Sequence, residues 1–154
     1  MLTFSRSKFV GVEHPRENTL LAHGVLEDNI YAMEIDVEVK LPELEITNIA
    51  GRMKRFTTPW CEGAIPVLQK AIGMRLDEED FARKVNRIVG KEGCTHFANL
   101  LVECCDAIRQ EVIYGEWLSL MEKGTTPNKK DFFKERLKSL PSLRDSCMVF
   151  SKKI

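Results

Sequence analysis

A chain of 154 residues, 44% hydrophobic and 30% charged, is long enough to close one core. Lys plus Arg equal Asp plus Glu at 23 each, so no overall field draws the protein to nucleic acid or to an anionic membrane. No segment approaches the roughly 20 apolar residues of a membrane span, and the opening MLTFSRSKFVGVEHPREN has no apolar signal-peptide core. A cytoplasmic protein is expected, with five cysteines serving as thiols or ligands rather than disulfides. One domain, 1–154, is expected: 1–56 mainly strand, 57–122 helical, 123–154 a final helix and tail.

The first third reads as β. LTFSRSKFVGVE and NTLLAHGVLED are two strand-like runs, the second ending in the turn EDN. YAMEIDVEVKL alternates most clearly, with Tyr31, Met33, Ile35, Val37, Val39 and Leu41 on one side and Glu34, Asp36, Glu38 and Lys40 on the other. That is a strand with one face in water. LEITNIAGRMKRF follows, and its alternation slips near Asn48 to Gly51, which predicts a bulge there.

The period then becomes helical. Ala64, Leu68, Ala71 and Ile72 predict a helix that starts after Thr58-Pro59 and stops at Gly73. Phe81, Val85, Ile88 and Val89 predict a second, capped by Asp77 and ended by Gly90. A third starts near Cys94 and runs toward Val112 or Met121, with Phe97, Leu101, Cys105, Ile108 and Val112 inward and Gly115 as a candidate break. KKDFFKERLKSL is a last short helix with Phe133, Leu137 and Leu140 inward, stopped by Pro141. From residue 122 onward nine Lys and Arg face four Asp and Glu, which reads as a solvated basic helix. The expected fold is α+β: an N-terminal antiparallel sheet of three to four strands, then three to four helices packed on one face.

Chemistry concentrates in Gly93-Cys94-Thr95-His96. Cys94 falls at the mouth of the long helix, where the positive end of the dipole favours a thiolate. Either Cys94 or Thr95 is the N-cap, and a capping side chain can fold back toward His96. Cys61, after Pro59 and Trp60, is expected at a second helix mouth on the same edge of the sheet. Cys61, Cys94 and His96 would then supply two sulfurs and one nitrogen, a donor set suited to zinc or an iron–sulfur cluster. Glu62, Cys147, water or a partner's residue would complete it.

Three readings follow. The first is a metal- or cluster-binding accessory protein serving a client protein. The second is a non-catalytic interaction module with structural cysteines. The third is a thiol or persulfide carrier with His96 as the base for Cys94. Cys104 and Cys105 lie about 15 Å along the helix from Cys94 at 1.5 Å per residue and read as core. His14 and His23 read as surface residues without partners, and the carboxylates of LDEED as first-turn helix charges.

Two resemblances attach to these residues. Gly93 to His96, Ala107 with Gln110, Pro59 to Cys61, and Cys147 in RDSCMVF together resemble a bacterial domain family of unknown function. More remotely, WCEGAIPVLQKAIGMRLDEED followed by CTHFANLLVECCDAI is similar in order to the IscU/NifU-type iron–sulfur scaffolds and the related SufE sulfur acceptors. That resemblance implies an IscU/SufE-like fold, with Cys61 as a first scaffold cysteine and Cys94 with His96 as the helix-start pair. The order here is Cys-Thr-His rather than His-Cys, and Gly63 stands where the scaffolds carry Asp.

Overall fold

The computed structural model describes residues 1–151. Four strands, β1 (Arg6–Arg16), β2 (Thr19–Asp28), β3 (Ala32–Lys40) and β4 (Glu45–Arg55), form one antiparallel sheet in the order β1-β2-β3-β4. Helices follow, so the α+β layout is as expected. Alternation places Leu20, Ala22 and Leu26 of β2 and Met33, Ile35, Val37 and Val39 of β3 on one face, all buried. The other face carries Glu34, Asp36 and Arg52, paired in ion bridges. The pleat gives successive side chains to opposite faces, so this hydrophobic pattern also sets the register.

The β4 bulge is displaced from its expected place. Glu38 pairs with Asn48 and Val39 with Ile46, which leaves Thr47 as the extra residue. A second register shift lies between Ala32 and Met33.

The predicted helix after Thr58 is instead two 3-10 turns, Pro59–Ala64 and Pro66–Ala71. Pro66 lacks the N–H that would continue the first turn, so the chain restarts there. Leu68 and Ala71 are buried as expected, but Ile72 is 42% exposed. Gly73, at φ 85°, ends the segment in a conformation that side chains resist.

The next helix, α1 (Phe81–Val85), begins later than Asp77 and runs directly into a π-turn, Asn86–Gly90. Asp77 holds Arg75 at 2.7 Å rather than capping. Glu78 and Asp80 pair with Lys84, and Glu79 with Arg144. Thus the LDEED carboxylates are ion-pair partners and not first-turn charges. Gly90 does not end the helix, which continues through 91–92.

Helix α2 (Thr95–Glu122) runs 28 residues without a break at Gly115. It lies across β1, β2 and β3. Phe97, Ala98, Leu100, Leu101, Cys104, Cys105 and Ile108 are sealed in the core. Cys104 is as buried as Cys105, and burial pushes the Cys104 thiol up to about 12 and the Cys105 thiol well above the ordinary range. Both are core, as expected. Arg109 is also buried, donating to the Leu76 carbonyl at 2.7 Å and lying over the Phe81 ring.

The last helix, α3 (Lys129–Ser139), is capped by Asn128, whose side chain accepts from Lys130 N and Asp131 N. Phe132 is buried on it, the expected Leu140 is buried at its end, and the expected Phe133 and Leu137 are partly buried against the core. Edge-to-face contacts link Trp117, Phe132, Phe133 and Phe150. Among the described residues no helix is long and apolar enough to cross a membrane.

Candidate functional site: a two-thiol strip at one end of the sheet

The start of β1, the end of β2, the turn into β3 and the end of β4 meet at one end of the sheet. The mouth of α2 arrives at the same end. Arg6 pairs in register with Asp28, and the Arg6 guanidinium grips Asp28 Oδ2 at 2.7 Å from Nε and 2.6 Å from Nη2. Asp28 Oδ1 accepts the backbone N–H groups of Ile30 and Tyr31, each at 2.6 Å. This side-chain-to-backbone turn shapes the β2–β3 connection. Burial pushes the Asp28 carboxyl up, but the Tyr31 and Ile30 N–H groups and Arg6 outweigh it and hold it at about 2. Arg55 adds further donors to the carbonyls of Asp28 and Tyr31.

Cys94 is the N-cap of α2, in extended conformation at φ −139° and ψ 122°. Thr95 is therefore the first helical residue and not the cap. The preceding turn closes through Cys94 N donating to Val89 O at 3.0 Å. A Cβ on Gly93 would meet that same Val89 oxygen at 2.8 Å and Val67 Cβ at 3.0 Å. Glycine is thus required immediately before Cys94 for the backbone to pass.

The Cys94 side chain makes no capping bond. Its Sγ lies 3.8 Å from His96 Nδ1, and both residues are half-buried. His96 Nε2 faces Arg6 Nη2 at 3.4 Å, and the Tyr31 ring lies on the imidazole with centroids 4.3 Å apart. Burial first, and then the charge of Arg6, lower the His96 pKa below its ordinary 6.5. The imidazole is accordingly neutral at pH 7.

Cys61 stands at the other end of the strip. Its Sγ is 3.6 Å from Thr58 Oγ1 and 3.7 Å from Thr57 Oγ1, and Thr57 Oγ1 is in turn 3.4 Å from the Tyr31 hydroxyl. The Thr58 hydroxyl and backbone, with the Thr57 hydroxyl, lower the Cys61 thiol from 9.0 to about 7. The cause is local hydrogen bonding, since Cys61 lies inside a short 3-10 turn and not at the mouth of a helix. Trp60 beside it is 88% exposed.

The structure therefore brings Cys94 and His96 into direct contact and connects Cys61 to them only through Thr57 and Tyr31. Among the described residues no group of three or more His, Cys, Asp and Glu side chains is arranged to hold a metal ion. Cys147 is exposed on the tail before Phe150. The other two histidines do have partners: His14 meets Glu111 at 3.1 Å, and His23 lies between Asp36 at 2.7 Å and Glu13 at 3.4 Å. The Asp36 hydrogen bond leads in raising the His23 pKa.

Sequence reasoning missed Arg6, Asp28 and Tyr31. The turn DNIY held a usable signal, because an Asp two and three residues before free N–H groups commonly folds back on them. Arg6 carried none, since its proximity to Asp28 comes from strand register and its proximity to His96 from the packing of α2.

Residues 14–110 match the family described as protein of unknown function (DUF2889), and the chain belongs to that family. The matched stretch includes Pro59 to Cys61 and Gly93 to His96, and leaves Arg6 and Cys147 outside. No curated protein and no solved structure matches the chain.

Proposed function

We propose that this DUF2889 member is a thiol-dependent group carrier, in which Cys94 takes up the transferred group and Cys61 is a second reactive thiol on the same strip. The observation that carries this reading is the 3.8 Å approach of Cys94 Sγ to His96 Nδ1 at the uncapped mouth of α2. The sulfur placed there has a ring nitrogen beside it and is not engaged in capping the helix. The thiolate is the nucleophilic form of cysteine, and the ring nitrogen lies within hydrogen-bonding reach of the sulfur that would carry it.

Persulfide sulfur is the group we assign to these two thiols, which are joined through His96, Tyr31 and Thr57. The Cys94 thiolate attacks the terminal sulfur of a donor persulfide, R–S–SH. The donor S–S bond breaks, R–S⁻ leaves, and Cys94 becomes Cys94–S–SH. No net oxidation occurs. The order of elements by which the sequence resembles SufE-type sulfur acceptors agrees with this cargo. Cys61 supports the reading independently, through a thiol lowered to about 7.

The test is to treat the reduced protein with inorganic polysulfide and map its cysteines by peptide mass. One added sulfur on the Cys94 peptide, lost in Cys94→Ser, is expected. Cys104 and Cys105, both fully buried, should stay unmodified. Uniformly slow modification of every cysteine in the native protein would refute the proposal. Stoichiometric zinc or iron retained by anaerobically purified protein, and lost in Cys94→Ala, would replace the carrier reading with the metal- or cluster-binding one.

A further inference from the structure

Arg6 is remote from Cys94 in sequence, yet it reaches the imidazole that lies beside the Cys94 sulfur. A guanidinium has five N–H donors and no acceptor, and it does not lose its charge in a protein. Its Nη2 lies 3.4 Å from His96 Nε2. A proton on Nε2 would set donor against donor, so Nε2 must be the nitrogen with the lone pair. A neutral imidazole carries its single proton on the other nitrogen. That nitrogen, Nδ1, is the one 3.8 Å from Cys94 Sγ.

We infer that Arg6 is a positioning residue that fixes His96 in the Nδ1–H tautomer, so that His96 donates a hydrogen bond to the Cys94 sulfur and does not take its proton. The inference rests on the reading of Cys94 as the reactive thiol. It changes the role expected of His96 from base to thiolate stabiliser, and the thiol proton leaves to solvent.

Arg6 is well suited to this task because it cannot easily turn away. Two of its nitrogens hold Asp28 Oδ2 at 2.7 and 2.6 Å. The Asp28 side chain is itself inaccessible to solvent and anchored by two backbone N–H groups at 2.6 Å. The Phe4 ring lies under the guanidinium, 5.5 Å from its carbon to the ring centroid. The Tyr31 ring covers the imidazole, which restricts the ring flip that would put carbons Cδ2 and Cε1 where Nδ1 and Nε2 now stand. The order Asp28, Arg6, His96, Cys94 is thus a chain of fixed donors and acceptors reaching from a buried carboxylate to a thiol. The neutral state of His96 is what makes its tautomer decisive, since an imidazolium would donate from both nitrogens.

The experiment is a long-range proton–nitrogen correlation spectrum of uniformly ¹⁵N-labelled protein at pH 8, with the three histidines assigned by loss of the His96 signals in His96→Gln. The wild type should show a pyridine-type Nε2 and a pyrrole-type Nδ1 for His96. Arg6→Met should convert this to a tautomer mixture or to the Nε2–H form, which a merely structural role for Arg6 would not do. A protonated Nε2 in the wild type overturns the inference whether or not the variant folds, and so does a wild-type tautomer pattern retained in folded Arg6→Met. Rapid modification of Cys94 alongside a protonated Nε2 would overturn the role of Arg6 while leaving the carrier proposal standing. Inert Cys94 alongside the Nδ1–H tautomer would do the reverse.

Discussion

Replacing Thr57 and Thr58 together by valine should slow Cys61 at neutral pH and accelerate it in base. Both hydroxyls lie within 3.7 Å of its sulfur, and the Thr58 hydroxyl is the foremost cause of the drop from 9.0 to about 7. Thr58 is in extended backbone at φ −143° and ψ 152° and makes no side-chain cap bond, so valine fits its conformation. Valine keeps the Thr58 backbone N–H, which makes 9.0 the upper limit for the variant. At pH 7 the wild-type thiol is about half ionised, and a thiol at that limit about one part in a hundred, a loss of roughly fifty-fold in thiolate. Intrinsic nucleophilicity moves the other way. With a Brønsted slope of about 0.4–0.5, a rise of two pKa units strengthens the thiolate roughly eightfold. The net slowing at pH 7 is therefore as much as about sixfold, the two rates cross near about pH 8, and the variant is faster above it. The assay is the rate of reaction with an aromatic disulfide from pH 5 to 10, in a Cys94→Ser, Cys147→Ser parent whose two remaining other cysteines are buried. A variant with the parent's midpoint and no crossing would refute the assignment of the low pKa to the threonine hydroxyls.

Further outcomes follow from the packing around the strip. Gly93→Ala places a Cβ at 2.8 Å from Val89 O and should destabilise by about 1–3 kcal/mol, read by chemical denaturation, with altered Cys94 reactivity because the turn before it must shift. Leu101→Ala, at a fully buried position of α2, should cost about 2–5 kcal/mol in the same measurement without changing the pH profile of Cys61. Asp28 has a folded pKa depressed from 3.8 to about 2. Its contribution to stability is fully present above its unfolded value and is lost as pH falls through about 2. Denaturation curves between pH 2 and 5 should show that acid-dependent loss in the wild type, and Asp28→Asn should be less stable at pH 5 with a flatter acid dependence.

The main layout of this protein was legible before any coordinates. Alternation in YAMEIDVEVKL and the helical stripe from Phe97 to Ile108 report burial directly, because a side chain's face follows from its position in a regular repeat. The separation of Cys94 from Cys104 and Cys105 was equally legible, being a matter of rise per residue. Local rules failed where two of them competed. Pro66 divided a helical stripe into two 3-10 turns, and Asp77 chose Arg75 over a helix cap. Phe132 joined Phe133 on the inner side of α3, where Trp117 lies edge-to-face against it.

Of the site, the sequence by itself determined Cys94 at the mouth of α2 with His96 beside it, since capping and glycine geometry act within a few residues. Tertiary structure alone decided what surrounds them. Strand register sets Arg6 against Asp28, the β2–β3 turn lays Tyr31 on His96, and the end of β4 places two threonine hydroxyls on Cys61. Each of those contacts joins residues that share no local repeat, so only the packed chain could reveal that the three predicted residues are a Cys–His pair and a separate thiol beside two threonine hydroxyls, with the Tyr31 ring linking them.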